Sequence, residues 1–174
     1  MARKNRNGFT LIELVMILVL IGIIAVFVAP KLGDVTSTKA GALRDKLRAD
    51  VRYAQNLAMT RNRRTRVYFN VSPAPIPHGY AVVVDGSPTG DCGAFAVASD
   101  PAGGNLSVTL GTGNYAGITV SPSATCLEYD SLGRPYACGG GVCSTAPLAA
   151  AMTADVNGEL TMRVSVNVQT GAVN

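Results

Sequence analysis

From Phe9 to Ala29 the chain runs 21 residues with a single carboxylate, Glu13, which stands five positions after Gly8. Thr10 is the only other strongly polar residue in the run. At about 1.5 Å per residue such a run makes a helix about 30 Å long, the thickness of a bilayer's hydrocarbon core. The pattern predicts one membrane-spanning helix over 9–29. A carboxylate near the centre of such a helix costs about 2.5 to 3.5 kcal/mol on insertion scales, and less near the interface, so Glu13 calls for a cationic partner. Another copy of the same segment is the obvious source. Arg3, Lys4 and Arg6 precede the run and predict a cytoplasmic N-terminus with the remaining chain carried across the membrane. A secretory signal would have a shorter apolar region ending in an A-x-A-like site. A plain single-pass anchor accounts for the length and the flanking charge, but not for Glu13.

The stretch Arg3-Lys4-Asn5-Arg6-Asn7-Gly8, followed by Phe9-Thr10-Leu11-Ile12-Glu13-Leu14-Val15, resembles the class III signal of type IV pilins and type II secretion pseudopilins. The resemblance implies that residues 1–8 are a leader. A prepilin peptidase would cut after Gly8 and methylate the new N-terminus at Phe9, leaving Glu13 as the fifth mature residue. The ammonium created on Phe9 can then neutralise Glu13 of a neighbouring subunit as helices pack in a filament core. The implied partners are the peptidase, other pilins or pseudopilins, and the bacterial inner membrane, with the rest of the chain periplasmic.

Loss of Arg3, Lys4 and Arg6 with the leader lowers the formal charge from +4 to +1, so the basic balance is largely the leader's. What remains is divided. Residues 9–66 carry ten Lys and Arg against four Asp and Glu, whereas residues 67–174 carry two against seven. This predicts a basic stem and an acidic head. Pro30 removes a backbone donor and can kink the stem. Beyond it, Leu43, Leu47, Val51, Ala54 and Ala58 recur at helical spacing, predicting an amphipathic helix over 30–63 that ends near Arg61. Lys46 and Asp50 form an i,i+4 pair expected on its polar side. Gly33 and Gly41 loosen it by about 1 kcal/mol each relative to alanine, so partial melting between Pro30 and Gly41 is expected when subunits pack.

From Thr65 the period changes to two. Val67, Phe69 and Val71 alternate with Arg66, Tyr68 and Asn70, and Tyr80, Val82 and Val84 repeat the pattern after a connection containing Pro73, Pro75 and Pro77. Shorter strands are expected near 94–98, 106–110, 118–121 and 126–129. The clearest is the last, with Leu160, Met162, Val164, Val166 and Val168 on one face. The expected fold is α+β: a long N-terminal helix, first membrane-spanning and then amphipathic, covering one face of an antiparallel sheet in a β-rich head over 64–174. Leu127-Glu128-Tyr129-Asp130-Ser131-Leu132-Gly133-Arg134-Pro135 is similar to the aromatic strand and Gly-Arg turn of the minor pseudopilin family called GspH/FimT. The ending Gly171-Ala172-Val173 resembles that family's final strand and tail. DNA-uptake members are expected to carry basic residues after the glycine, where this chain has Ala172.

Four cysteines, Cys92, Cys126, Cys138 and Cys143, fall in the head, on the oxidising side of the membrane. Two disulfides are expected. Cys138 with Cys143 and Cys92 with Cys126 is the slightly preferred pairing; the rival joins Cys126 to Cys138 and Cys92 to Cys143. No metal or other cofactor is expected, because there is no CxxC pair and only one histidine. His78, between Pro77 and Gly79, reads as a loop residue without a nucleophile motif, so no enzyme is expected. Asp85, Gly86 and Asp91, and likewise Asp155, Asn157, Gly158 and Glu159, faintly resemble calcium loops and read better as turns.

Arg61, Arg63, Arg64 and Arg66 form the remaining charged cluster. It reads first as a solvated helix end whose charge suits the helix's negative pole. As a contact it would meet the acidic head of a neighbouring subunit ahead of phosphates, since groove-reading motifs and an aromatic platform are missing. The chain therefore reads as a structural minor subunit of a type II secretion pseudopilus or type IV pilus. The alternative is a DNA-uptake or adhesion pilin binding nucleic acid or a surface.

Overall fold

The computed structural model describes residues 9–28, 35–70, 78–87, 90–138, 142–158 and 160–174. The chain divides into two compact units, Met1–Val35 and Thr36–Asn174. The first contains helix α1, Leu11–Val28, with an acidic residue, Glu13, in its first turn. Its apolar side chains, from Leu11 to Val26, are exposed on every side. An 18-residue helix is about 27 Å long, short of the about 30 Å hydrocarbon core. Among the described residues no helix is long and apolar enough to cross a membrane. The expected span reached Ala29, which lies outside the described residues together with Gly8 and Pro30.

In the second unit, α2 (Val35–Arg61) packs its apolar stripe on the sheets. Ala40, Leu43, Leu47, Val51, Ala54, Leu57 and Ala58 are all buried, as the helical spacing required. Gly41 lies inside the helix, and Gly33 lies outside the described residues. Lys46 does pair with Asp50, at 3.1 Å. The placement of Asp50 on the polar side is corrected, because it is buried and accepts a 2.7 Å hydrogen bond from the Tyr80 hydroxyl. A buried phenol needs an acceptor, and Asp50 is the one that α2 presents. Burial first, and then the charge of Asp50, push the Tyr80 pKa up.

The head has two sheets where one was expected. Strands β1 (Thr65–Phe69), β2 (Gly79–Asp85), β3 (Phe95–Val97), β4 (Ser107–Thr109), β6 (Cys126–Tyr129) and β7 (Pro135–Ala137) form the larger, in the order β3-β2-β1-β6-β7 with β4 also on β2. Strands β5 (Thr119–Pro122), β8 (Met152–Asn157) and β9 (Thr161–Val166) form the smaller, in the order β5-β8-β9. All pairings are antiparallel. The alternation of β1 and β2 does not separate a core face from a solvent face: all seven residues of β2 are buried, and Arg66 of β1 is nearly as hidden as Val67. The last strand is shorter than its apolar alternation, with Val164 and Val166 in the core and Leu160 exposed.

The C-terminal residues close the fold. Val173 bridges to Val166, and the Ser165 and Asn174 backbones exchange hydrogen bonds. From α2, Arg52 donates to the Val173 carbonyl and Gln55 donates to the carbonyls of Gly133 and Thr170, each at 2.8 Å. Gly171 sits at φ 68°, where a Cβ would lie 2.8 Å from Gln55, the Gly133 carbonyl and the Tyr129 ring. Only glycine meets both the backbone angle and the space. Ala172 is exposed.

Candidate functional site

Helix α1 opens at Thr10 and Glu13. Thr10 lies just before the first helical residue, and its carbonyl accepts from the Leu14 N–H at 3.2 Å. Glu13 Oε2 accepts from both the Thr10 N–H and the Thr10 hydroxyl at 3.1 Å, while Thr10 Oγ1 accepts from the Glu13 N–H at 3.3 Å. Beyond being a charge that awaits a cation, Glu13 thus has a local role at the helix start. Its signal for a local role was the Thr-x-x-Glu spacing, which is that of a helix-capping box.

The arginine cluster divides by position. Arg61 is exposed at the end of α2, where a cation meets the free carbonyls of the last turn. Arg63 donates to the Asp85 carbonyl at 3.2 Å. Arg64 and Arg66 both reach Glu128, which is fully buried: Arg64 Nη1 to Oε1 at 2.5 Å and Arg66 Nε to Oε2 at 2.7 Å. The solvated reading of these two is thereby corrected. Antiparallel pairing sets Arg66 opposite Glu128, so both side chains leave the sheet on the same face. The remaining Arg66 donors go to the Tyr68 hydroxyl at 3.0 Å and the Val142 carbonyl at 2.6 Å, and its guanidinium stacks 4.2 Å from the Phe95 ring centroid. Arg64 also donates to the Ser144 carbonyl and lies over Tyr136. The Ser144 N–H returns a bond to Glu128 Oε1 at 3.0 Å.

Two disulfides lie beside this cluster, one joining β6 to the end of β7 and the other holding residues 142–144, whose backbone covers Arg66, Arg64 and Glu128. Cys92 pairs with Cys143 and Cys126 with Cys138, which is the rival pairing and corrects the preferred one. The β6–β7 hairpin brings Leu127 opposite Ala137, so Cys126 and Cys138, the next residues outward, come within bridging distance. Cys143 then reaches Cys92, beside the end of β2. A carboxylate oxygen of Asp85 and the sulfurs of Cys92 and Cys143 lie within 4.8 Å of one another. Both sulfurs are used in the disulfide, so neither offers a thiolate to a metal.

Of the two calcium-loop candidates, the first is a turn that follows β2, whereas Asp155 and Asn157 lie on β8, which corrects the turn expected there. Asp85, wholly buried, accepts from the Ser87 and Cys92 N–H groups, and Asp91 accepts from the Gly93 N–H. Asp155 is paired in two bonds with Arg163 on the adjacent strand, and Asn157 donates to Ser121. Glu159 lies outside the described residues. His78 is exposed and lines an open cavity of about 630 Å³ with Asn70, Leu110, Ile118 and Val120. Among that cavity's described lining residues there is no carboxylate, serine or cysteine, and the one hydroxyl is that of Thr119.

The fold is thus α+β, with helix α2 packed on antiparallel sheets in the second unit, consistent with a pilin-like fold. Residues 3–29 match the prokaryotic N-terminal methylation motif, which is typical of type IV pilins and pseudopilins. The match covers Gly8, Phe9 and Glu13, and it implies processing by prepilin peptidase and assembly with other pilins. Among curated proteins and solved structures, nothing matches the chain.

Proposed function

We propose that this chain is a structural minor subunit, a pseudopilin or minor pilin of the GspH/FimT type, in a type II secretion pseudopilus or a type IV pilus. The observation that carries this reading is the methylation motif over residues 3–29, placed ahead of a separately compact α+β head. The apolar 9–29 segment anchors the precursor in the inner membrane with residues 1–8 cytoplasmic, and the head lies in the periplasm, where its cysteines oxidise. After cleavage behind Gly8, the segment packs in the filament core and the Phe9 ammonium meets Glu13 of a neighbour. The subunit converts no substrate and needs no cofactor. DNA uptake or adhesion is the second reading, and the engagement of Arg64 and Arg66 with Glu128 counts against a phosphate-binding cluster at this place.

Mass spectrometry of chain recovered from membranes or filaments tests the proposal. The mature chain should begin at methylated Phe9, and Gly8→Ala should leave only precursor, because the cut requires a residue with no side chain at that position. A mature N-terminus elsewhere, such as after Ala29, would overturn it. Glu13→Val should leave insertion intact or improved while impairing incorporation into filaments. Glu13→Asp should fall between.

A further inference from the structure

The three hydrogen bonds between Thr10 and Glu13 at the start of α1 form without any second chain. Thr10 is the N-cap and Glu13 the third helical residue, the positions of a reciprocal capping box. Phe9 and Leu14 occupy the flanking positions at which a hydrophobic pair commonly fixes the entry of the chain. The carboxylate is therefore held at the positive pole of the helix, where negative charge is favoured. Cleavage after Gly8 would create an ammonium at this same pole. There a cation is disfavoured unless a carboxylate is fixed beside it.

We propose that Thr10 is the positioning residue for Glu13: the capping box satisfies the carboxylate in the unprocessed chain and holds it at the helix start, ready for the ammonium that processing creates on Phe9 of a neighbouring subunit. The inference rests on the processing proposed above. It assigns two separable properties to position 13. Capping needs an acceptor oxygen, which glutamine also supplies; pairing with the ammonium needs the negative charge. Position 10 needs a hydroxyl, which serine also supplies.

Amide exchange at residue 13, measured by NMR on the full-length unprocessed chain in phosphatidylcholine nanodiscs, reads the box alone. Thr10→Ser and Glu13→Gln should keep the wild-type protection. Thr10→Ala should exchange about fivefold faster, the factor equivalent to one capping interaction of about 1 kcal/mol. Unchanged exchange in Thr10→Ala, or exchange in Glu13→Gln as fast as in Thr10→Ala, would overturn the box. The second measurement is the fraction of processed chain that enters filaments. Thr10→Ser should match wild type, and Thr10→Ala should fall several-fold. Glu13→Gln should fall despite its intact cap. Normal entry of Thr10→Ala would show that the box does not position Glu13 for assembly. Because the exchange measurement needs no peptidase, a wild-type chain that is protected but never cut after Gly8 would sink the processing reading and leave the capping box standing.

Discussion

Glu128 is the residue on which the head's polar interior turns. It is fully buried, and it has two guanidinium partners and a backbone N–H. Removing it leaves Arg66, itself only 2% exposed, without its counterion. Breaking such a buried pair costs about 3 to 5 kcal/mol, so Glu128→Ala should lower unfolding free energy by that amount in urea titrations of the head. Arg134→Ala is the control: its guanidinium also pairs with a carboxylate, Asp130, but from an exposed position, and its loss should be far smaller. Asp130 itself carries a pH signature. Desolvation raises its pKa, but the Arg134 N–H and guanidinium and the Leu132 N–H together outweigh that and hold it below the usual carboxylate value. A depressed folded pKa contributes stability that is fully present above the unfolded value, about 3.9, and is lost as pH falls below that value through the folded pKa. Asp130→Asn should therefore flatten the acid limb of the stability curve below about pH 4 and leave its neutral arm parallel to wild type.

At the scale of elements, the two disulfides do unequal work. Cys126–Cys138 spans 12 residues and ties β6 to the end of β7; Cys92–Cys143 spans 51 and draws the covering segment onto the sheet. On the chain-entropy account the shorter loop is worth about 3 kcal/mol and the longer about 4. Structurally they also differ, because Val142 and Ser144, on either side of Cys143, give Arg66, Arg64 and Glu128 their backbone partners. Replacing Cys92 and Cys143 by serine should cost more stability than replacing Cys126 and Cys138. Non-reducing peptide mapping of each serine pair should recover the other bridge unchanged. Recovery of a Cys138–Cys143 bridge would contradict the pairing.

Across the whole molecule, the apolar helix and the compact head divide assembly from folding, and this decides how the arginine cluster can be tested. Substituting all four arginines would strip Glu128 of both its guanidinium partners and destabilise the head, confounding any binding measurement. Arg61 and Arg63 are the pair whose side chains leave Glu128 untouched. If the subunit is structural, residues 36–174 should be a folded, disulfide-bonded monomer with negligible DNA affinity at about 150 mM salt, since weak binding by a few cations collapses as salt rises. Tight binding at that salt, abolished by Arg61→Gln with Arg63→Gln while secretion is unchanged, would instead promote the uptake reading.

What the sequence determined by itself was whatever depends on neighbours along the chain. The apolar run, the stripe of α2 from Leu43 to Ala58 and the alternation of β1, β2 and β9 are local periodicities, and each element appears where its period placed it. Strand β8 shows how thin that signal can be. Met152, Ala154 and Val156 alternate inward, yet the small Ala154 and the polar Asp155 and Asn157 made the segment read as a turn. Tertiary structure alone decided the rest, because it depends on residues far apart in sequence. The disulfide pairing followed from the β6–β7 register, and the division into two sheets from strand partners dozens of residues away. Arg66, polar on an alternating strand, belonged by pattern on a solvent face. It is buried because Glu128 lies opposite it and residues 142–144, held by Cys143, close over both: burial of a charge is decided by the partners that surround it, and these come from three separate stretches of chain.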